Sequence, residues 1–259
     1  KTRWFWKNYA TLPIRLDQFA IAKTGIMQSQ TVLKIENYMI ICAPWQISMK
    51  KAYLFVVLIK EEIPFFRKYV ERLAALKFTF QPPSKNIPVK FFVWVTINKM
   101  SSIKGRDNMC LIEVTYKSSP ESLIDILGEY IQSLQNLDQY YQHFREKEVG
   151  ITRESARILK YNNYMECMIG ERKIEAKLLT LSMSRLVIVI PGIDPNLKEG
   201  YEFVSRLFFQ SYRFQVKGKI TKMDRSMDGF VRIDYRIDYV PELVDILQDY
   251  FTKSDSLAV

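Results

Sequence analysis

Apolar and polar residues alternate in short runs along most of the chain. Phe91, Val93 and Ile97 lie on one side of such a run, which ends at Lys99-Met100, and Leu111–Tyr116 alternates again after the polar stretch Ser101–Asn108. Period-two alternation rich in β-branched and aromatic residues predicts half-buried strands. The pattern then returns. Phe214, Val216, Ile220, Lys222 and Met223 repeat the spacing F-x-V-x3-I-x-K-M about 120 residues later, followed by the polar turn Asp224–Gly229 and the run Val231–Tyr235.

After each second run the period changes from two to that of a helix. Pro120-Glu121 and Pro241-Glu242 open segments in which Leu123, Ile126, Leu127 and Tyr130, and likewise Leu243, Ile246, Leu247 and Tyr250, share one face. Proline suits a first helical turn because no N–H is needed there, and the following carboxylate meets the positive end of the helix. The first helix is predicted to continue through Gln132–Phe144, before a charged run at Arg145–Glu148 and Gly150. Two domains are therefore expected, 1–144 and 145–259. Further strands are predicted at Ile158–Tyr161, Tyr164–Ile169, Ile174–Ser182, Arg185–Pro191 and Phe203–Phe209. In the first domain Phe65, Phe66, Val70, Leu73 and Leu76 predict a helix over Ile63–Lys77. The expected fold class is mainly β with α: two small split β-barrels, each closed by a C-terminal helix.

Composition narrows the function. Hydrophobic residues at 48% and charged residues at 25% are globular values. The longest apolar stretches, Tyr53–Ile59 and Leu186–Pro191, are too short to span a membrane. No basic-then-apolar leader precedes the first strand pattern, so the cytoplasm is the expected compartment, although a start at Lys1 leaves room for an upstream piece. The formal charge of +10 is uneven: residues 1–100 carry +11 and the remainder −1. Lys1, Arg3, Lys7, Arg15 and Lys23 interleave with Trp4, Phe5, Trp6, Tyr9 and Phe19. That mixture suits a nucleic-acid backbone, an anionic surface or an acidic partner, and equally a solvated basic face beside core aromatics.

Cys42, Cys110 and Cys167 are scattered in apolar surroundings and read as buried free thiols. A single histidine, His143, leaves little for His-based metal sites or acid–base chemistry. The phosphate-binding, dinucleotide-binding, serine-hydrolase and zinc-protease motifs are all missing, and Asp224 with Asp228 before Gly229 makes a hairpin turn and an incomplete calcium loop. The expectation is a protein that is not an enzyme and needs no cofactor or metal.

One constellation remains. Arg153-Glu154-Ser155-Ala156-Arg157 reads R-x-x-x-R just before the second domain's first strand, and Thr180-Leu181-Ser182-Met183-Ser184-Arg185 follows at a strand junction. Together with the run of short strands and the closing helix, this resembles the PilZ domain, a bacterial cyclic-di-GMP receptor module whose motifs are R-x-x-x-R and D/N-x-S-x-x-G. Roughly 145–252 resembles the ligand-binding type, and about 25–135 a companion domain without the motif. The tandem layout is similar to flagellar-brake proteins and to the PlzA proteins of spirochaetes.

The resemblance implies that Arg153 and Arg157 contact guanine and phosphate from a mobile pre-barrel segment, and that Ser182 donates its hydroxyl to the ligand. It also implies output through a protein partner, such as the flagellar motor or a regulatory protein. Two positions depart from the pattern: Thr180 stands at Asp/Asn and Arg185 at Gly. Threonine cannot pair a guanine edge bidentately as a carboxylate does, whereas Arg185 is a candidate for a further phosphate contact. Three functions stay open. They are a cyclic-di-GMP receptor that changes its interdomain arrangement to regulate motility or related signalling, a scaffold of the same fold that has lost its ligand, and a nucleic-acid binder using the basic N-terminal stretch.

Overall fold

The computed structural model describes residues 1–192, 197–225 and 229–257. Its chain divides into two units, Lys1–Ser133 and Leu134–Val259. The first contains α1 (Thr2–Tyr9), β1 (Ile14–Arg15), α2 (Gln18–Thr24), β2 (Val32–Ile35), β3 (Tyr38–Ile47), β4 (Lys51–Val57), α3 (Glu62–Arg67), β5 (Leu73–Phe80), β6 (Val89–Ile103) and β7 (Arg106–Tyr116). Helix α4 (Glu121–Phe144) follows, and the division between the units falls inside it rather than at its C-terminal end. The second unit continues with β8 (Val149–Gly150), α5 (Arg153–Leu159), β9 (Tyr161–Ile169), β10 (Arg172–Leu181), β11 (Arg185–Pro191), β12 (Glu202–Phe209), β13 (Arg213–Asp224), β14 (Phe230–Ile237) and α6 (Pro241–Leu257).

Each unit is a closed six-stranded antiparallel barrel with a two-residue strand appended. In the first the order is β3-β2-β5-β6-β7-β4, with β4 returning to β3 and β1 lying outside β3. In the second it is β10-β9-β12-β13-β14-β11, with β11 returning to β10 and β8 outside β10. Closure leaves no long unpaired strand edge, which short strands could not otherwise protect. The repeat read from the last third of each domain thus extends over both units. Even single hydrogen bonds recur. Leu16 N–H donates to the Trp45 carbonyl at 2.9 Å and Ile151 N–H to the Leu179 carbonyl at 2.8 Å, fixing each short outer strand to its barrel.

The alternating residues fill the barrels. Leu33, Leu54, Leu76 and Val95 are buried in the first, as are Met165, Leu186, Val216 and Ile233 in the second. Leu123 and Leu127 of α4, and Leu243 and Leu247 of α6, are fully buried, so each closing helix is held by its apolar stripe. In the second barrel the buried Tyr235 hydroxyl donates to Ser205 Oγ at 2.7 Å, and Cys167 Sγ lies 3.4 Å from the same oxygen. All three cysteines are buried and free, and burial pushes the Cys42 and Cys167 thiols up to about 12.

Two elements differ from expectation. The helix expected over Ile63–Lys77 is only the short α3, and Leu73–Phe80 is strand β5, hydrogen-bonded on both sides to β2 and β6. Val70, Leu73 and Leu76 fit a helical spacing, but Ala74, Leu76 and Phe78 also alternate, and the two ladders select the strand. The strand expected at Ile158–Tyr161 is the end of α5, whose residues use the left-handed Lys160 (φ 55°) to turn into β9. The turn expected at Ser101–Asn108 is tighter, centred on Lys104 and Gly105 between β6 and β7. The second expected turn, Asp224–Gly229, lies partly outside the described residues, Asp228 included.

Candidate functional site

The second unit's outer strand positions the R-x-x-x-R segment. Gly150 and Val149 pair with Thr180 and Leu181 at the end of β10, so the chain enters α5 beside Thr180. Thr152 then caps the helix: its Oγ1 accepts from Ser155 N–H at 3.1 Å, while Thr152 N–H donates to Ser155 Oγ at 2.8 Å. Ser155 Oγ in turn donates to the Gly150 carbonyl at 2.7 Å, locking helix to strand. Arg153 and Arg157 are therefore one helical turn apart on the same side of α5, and both are exposed. The segment that carries both arginines is a capped helix.

Arg153 and Thr152 form one wall of an open cleft of about 600 Å³. Across it lie Asn163 of β9, Glu175 and Lys177 of β10, and Phe230 of β14. Lys177 alternates outward on its strand, and Asn163 adopts φ 55°. These are the groups that motif spacing alone did not pick out. For Lys177 the signal was the in–out alternation of β10.

The second motif is used differently from the expectation. Thr180 is half-buried in β10, paired to Gly150 on one side and Val187 on the other. Ser182 is 1% exposed; its Oγ accepts from Ser184 N–H at 3.3 Å and donates to the Arg185 carbonyl at 3.4 Å. That hydroxyl is committed to its own turn rather than offered to a ligand. Arg185 is equally engaged: Nη1 contacts Glu148 and Nη2 contacts Asp234, each at 2.6 Å. The hydrogen bond to Asp234 holds the guanidinium above its usual range. Arg185 thus ties the segment preceding β8 to β14. Arg232 and Arg236, which also read R-x-x-x-R, are exposed on strand β14.

The basic N-terminal stretch is largely folded into its own unit. Lys1 pairs with Glu129 at 2.6 Å, and Lys23 lies over the Phe19 ring at 5.5 Å. Phe5, Tyr9 and Phe19 are core residues, while Trp4 and Trp6 are exposed. Among the described residues no cluster of His, Cys, Asp or Glu is arranged to hold a metal ion, and no helix is long and apolar enough to cross a membrane.

The sequence pattern of the PilZN3 domain matches residues 1–133. The chain belongs to the PilZN3 domain family. The family match lies on the first of the two barrels. Among solved structures it is similar to the PlzA protein of Borreliella burgdorferi in complex with c-di-GMP, at 16% identity over 96% of this chain and 98% of that one, with a TM-score of 0.45. YcgR of Escherichia coli in complex with c-di-GMP is similar at 12% identity over 92% of this chain and 87% of that one, TM-score 0.31. The Bacillus subtilis inhibitor of motility is similar at 11% identity over 89% and 99%, TM-score 0.30. No curated protein matches the chain in sequence.

Proposed function

We propose that this PilZN3-family chain is a cyclic-di-GMP receptor whose second barrel holds the ligand at the Arg153 cleft. The observation that carries the reading is the pair of exposed guanidinium groups on α5, one of them lining the cleft. Cyclic-di-GMP is a dianion with two purines. Arginine can fork onto a phosphate or onto guanine O6 and N7, and can also stack on the base. Lys177 brings an ammonium group across the cleft, beside the carboxylate of Glu175, and Phe230 an aromatic face. Ligand binding selects one arrangement of α5 over others, and a protein partner reads that arrangement to regulate motility or related signalling.

Calorimetry and thermal shift on the full chain test this. Micromolar binding is expected, weakened at least roughly tenfold by Arg153→Ala and by Arg157→Ala. Absence of both heat and thermal shift with about 100 µM ligand removes the receptor reading.

A second reading is favoured by Ser182 and Arg185, whose polar groups are consumed within the fold. In it the barrel is a protein-binding scaffold without a nucleotide. Thr180→Asp separates the two. A receptor that already binds gains about 10- to 100-fold from the added carboxylate, whereas a scaffold gains nothing that depends on Arg157.

A further inference from the structure

The two units differ beside the segment leading into each closing helix. Backbone bonds fix the correspondence: Lys117 N–H donates to the Trp94 carbonyl and Asp238 N–H to the Lys217 carbonyl, both at 2.8 Å. Likewise Tyr116 N–H donates to the Lys50 carbonyl at 2.8 Å, and Ile237 N–H to the Ser184 carbonyl at 2.9 Å. Lys117 therefore occupies the place of Asp238 and Lys50 that of Ser184, while Pro120 and Val240 accept the same pair of helix-opening bonds, so that Ser118 and Ser119 together span the place of the single Tyr239. In the second unit the Tyr239 ring packs edge-on against Tyr141, with centroids 5.0 Å apart, and Ser184 Oγ donates to the Arg145 carbonyl at 3.1 Å. The space is filled and the polar group is satisfied.

In the first unit the phenol is missing, and an open cleft of about 390 Å³ lies there, lined by Trp6, Lys50, Thr115, Tyr116, Lys117 and Ser118 among others. Trp6 is 38% exposed, and Lys50 Nζ sits 5.6 Å from its ring centre. Among the described residues neither Lys50 nor Lys117 lies in an ion pair with a carboxylate. Tyr116 is 7% exposed and its buried hydroxyl has no hydrogen-bond partner among them. Two ammonium groups outside any ion pair, an aromatic wall and the room of a missing ring thus border one cleft, while the Tyr116 ring turns inward beside Phe78.

We propose that this cleft is a second ligand site, which takes a flat aromatic group carrying a phosphate, the chemistry of a mononucleotide. The ring stacks on Trp6 in the room that Tyr239 fills in the other unit, and the phosphate is held between Lys50 and Lys117. Ser118 and Thr115 supply hydroxyls at the rim. The site uses no residue of the α5 cleft, so it stands whether or not the second barrel binds cyclic-di-GMP.

Titration of the full chain with guanosine monophosphate, phenyl phosphate and inorganic phosphate tests the site, read by calorimetry and by tryptophan fluorescence. The two aromatic phosphates are expected to bind with Kd about 1 mM or tighter, and inorganic phosphate at least roughly tenfold more weakly. Ser118→Tyr, which puts a phenol into the cleft, and Lys117→Asp, which installs the residue of the second unit, are each expected to weaken binding at least roughly tenfold. Arg153→Ala with Arg157→Ala should leave it unchanged. The proposal is overturned if neither aromatic phosphate binds at about 10 mM, if both substitutions leave binding intact, or if inorganic phosphate binds as well as phenyl phosphate. Should Ser118→Tyr lower the melting temperature, Lys50→Ser and Lys117→Asp, both at exposed positions, decide the matter alone.

Discussion

The first barrel and the second share a strand order, an outer two-residue strand and a closing helix, and they also share the turn that first looked like part of a ligand motif. Ile47-Ser48-Met49 precedes β4 as Leu181-Ser182-Met183 precedes β11. Ser48 N–H and Ser182 N–H each donate to a carbonyl three residues on at 2.8 Å, and each hydroxyl donates to that same carbonyl at 3.4 Å. Met49 and Met183 are both fully buried. A feature present in the barrel that lacks R-x-x-x-R belongs to the fold. On α2 and α5, by contrast, Gln18 and Ala22 stand where the second unit has Arg153 and Arg157. What the units share holds the barrel closed, and what they do not share is where ligand chemistry can differ.

The largest expected effect comes from a contact found only in the first unit. A Cβ added at Gly128 of α4 would lie 2.3 Å from the Phe5 ring, whereas the second unit has the half-buried Gln248 at the corresponding place on α6. Gly128 lets α1 pack close enough for Phe5 to be 1% exposed. Gly128→Val should destabilise the chain by about 3 kcal/mol through overpacking, against less than about 1 kcal/mol for Gln248→Val, measured by denaturant unfolding. Equal costs would mean that the two helix docks are equivalent.

A smaller difference lies in the ion pair that follows the shared turn. Lys51 at the start of β4 reaches Glu113 of β7 at 3.8 Å, and Arg185 at the start of β11 reaches Asp234 of β14 at 2.6 Å. The geometry is repeated, but the Asp234 side chain is 12% exposed against 28% for Glu113. Asp234→Ala is expected to cost about 1–3 kcal/mol, since it strips a close, charge-assisted bond in a nearly buried place. Glu113→Ala should cost below about 1 kcal/mol, as an exposed pair does. Double-mutant cycles with Arg185 and Lys51 measure the two couplings, and matching values would erase the distinction.

The sequence made the repeat visible only where both copies had kept the same residues, from Phe91 to Tyr130 and from Phe214 to Tyr250. The earlier strands of each barrel matched in backbone pairing but not in residue type, because a pleated strand constrains the side of a residue more than its identity. β5 was hidden because Val70, Leu73 and Leu76 satisfied a helical spacing as well, and only the partner strands β2 and β6 settle the choice. The location of Arg153 and Arg157 before the second barrel was legible from spacing. The helix that carries them was not, since its cap depends on the reciprocal Thr152–Ser155 pair and on the bond from Ser155 to Gly150. The intramolecular partners of Ser182 and Arg185 were not legible for a related reason. A motif gives residue types at a spacing, and burial decides whether their polar groups face a ligand or the protein. The Trp6 cleft was likewise invisible until the units were compared, because a ring missing between Lys117 and Pro120 leaves no mark in one copy read alone.

The smallest effect is also the sharpest test of the shared turn. If Ser48 and Ser182 both serve only to close the turn between consecutive barrel strands, Ser48→Ala and Ser182→Ala should destabilise by the same amount, about 1 kcal/mol each, since each removes one buried hydroxyl bonded to the backbone. A difference above about 0.5 kcal/mol between them would break the equivalence. The same Ser182→Ala protein should bind cyclic-di-GMP within roughly twofold of the parent wherever the parent binds, because a hydroxyl 1% exposed and bonded to the Arg185 carbonyl has no free donor to give. A loss of affinity of roughly tenfold or more, with stability unchanged, would show that the turn opens on binding and that Ser182 leaves its carbonyl for the ligand.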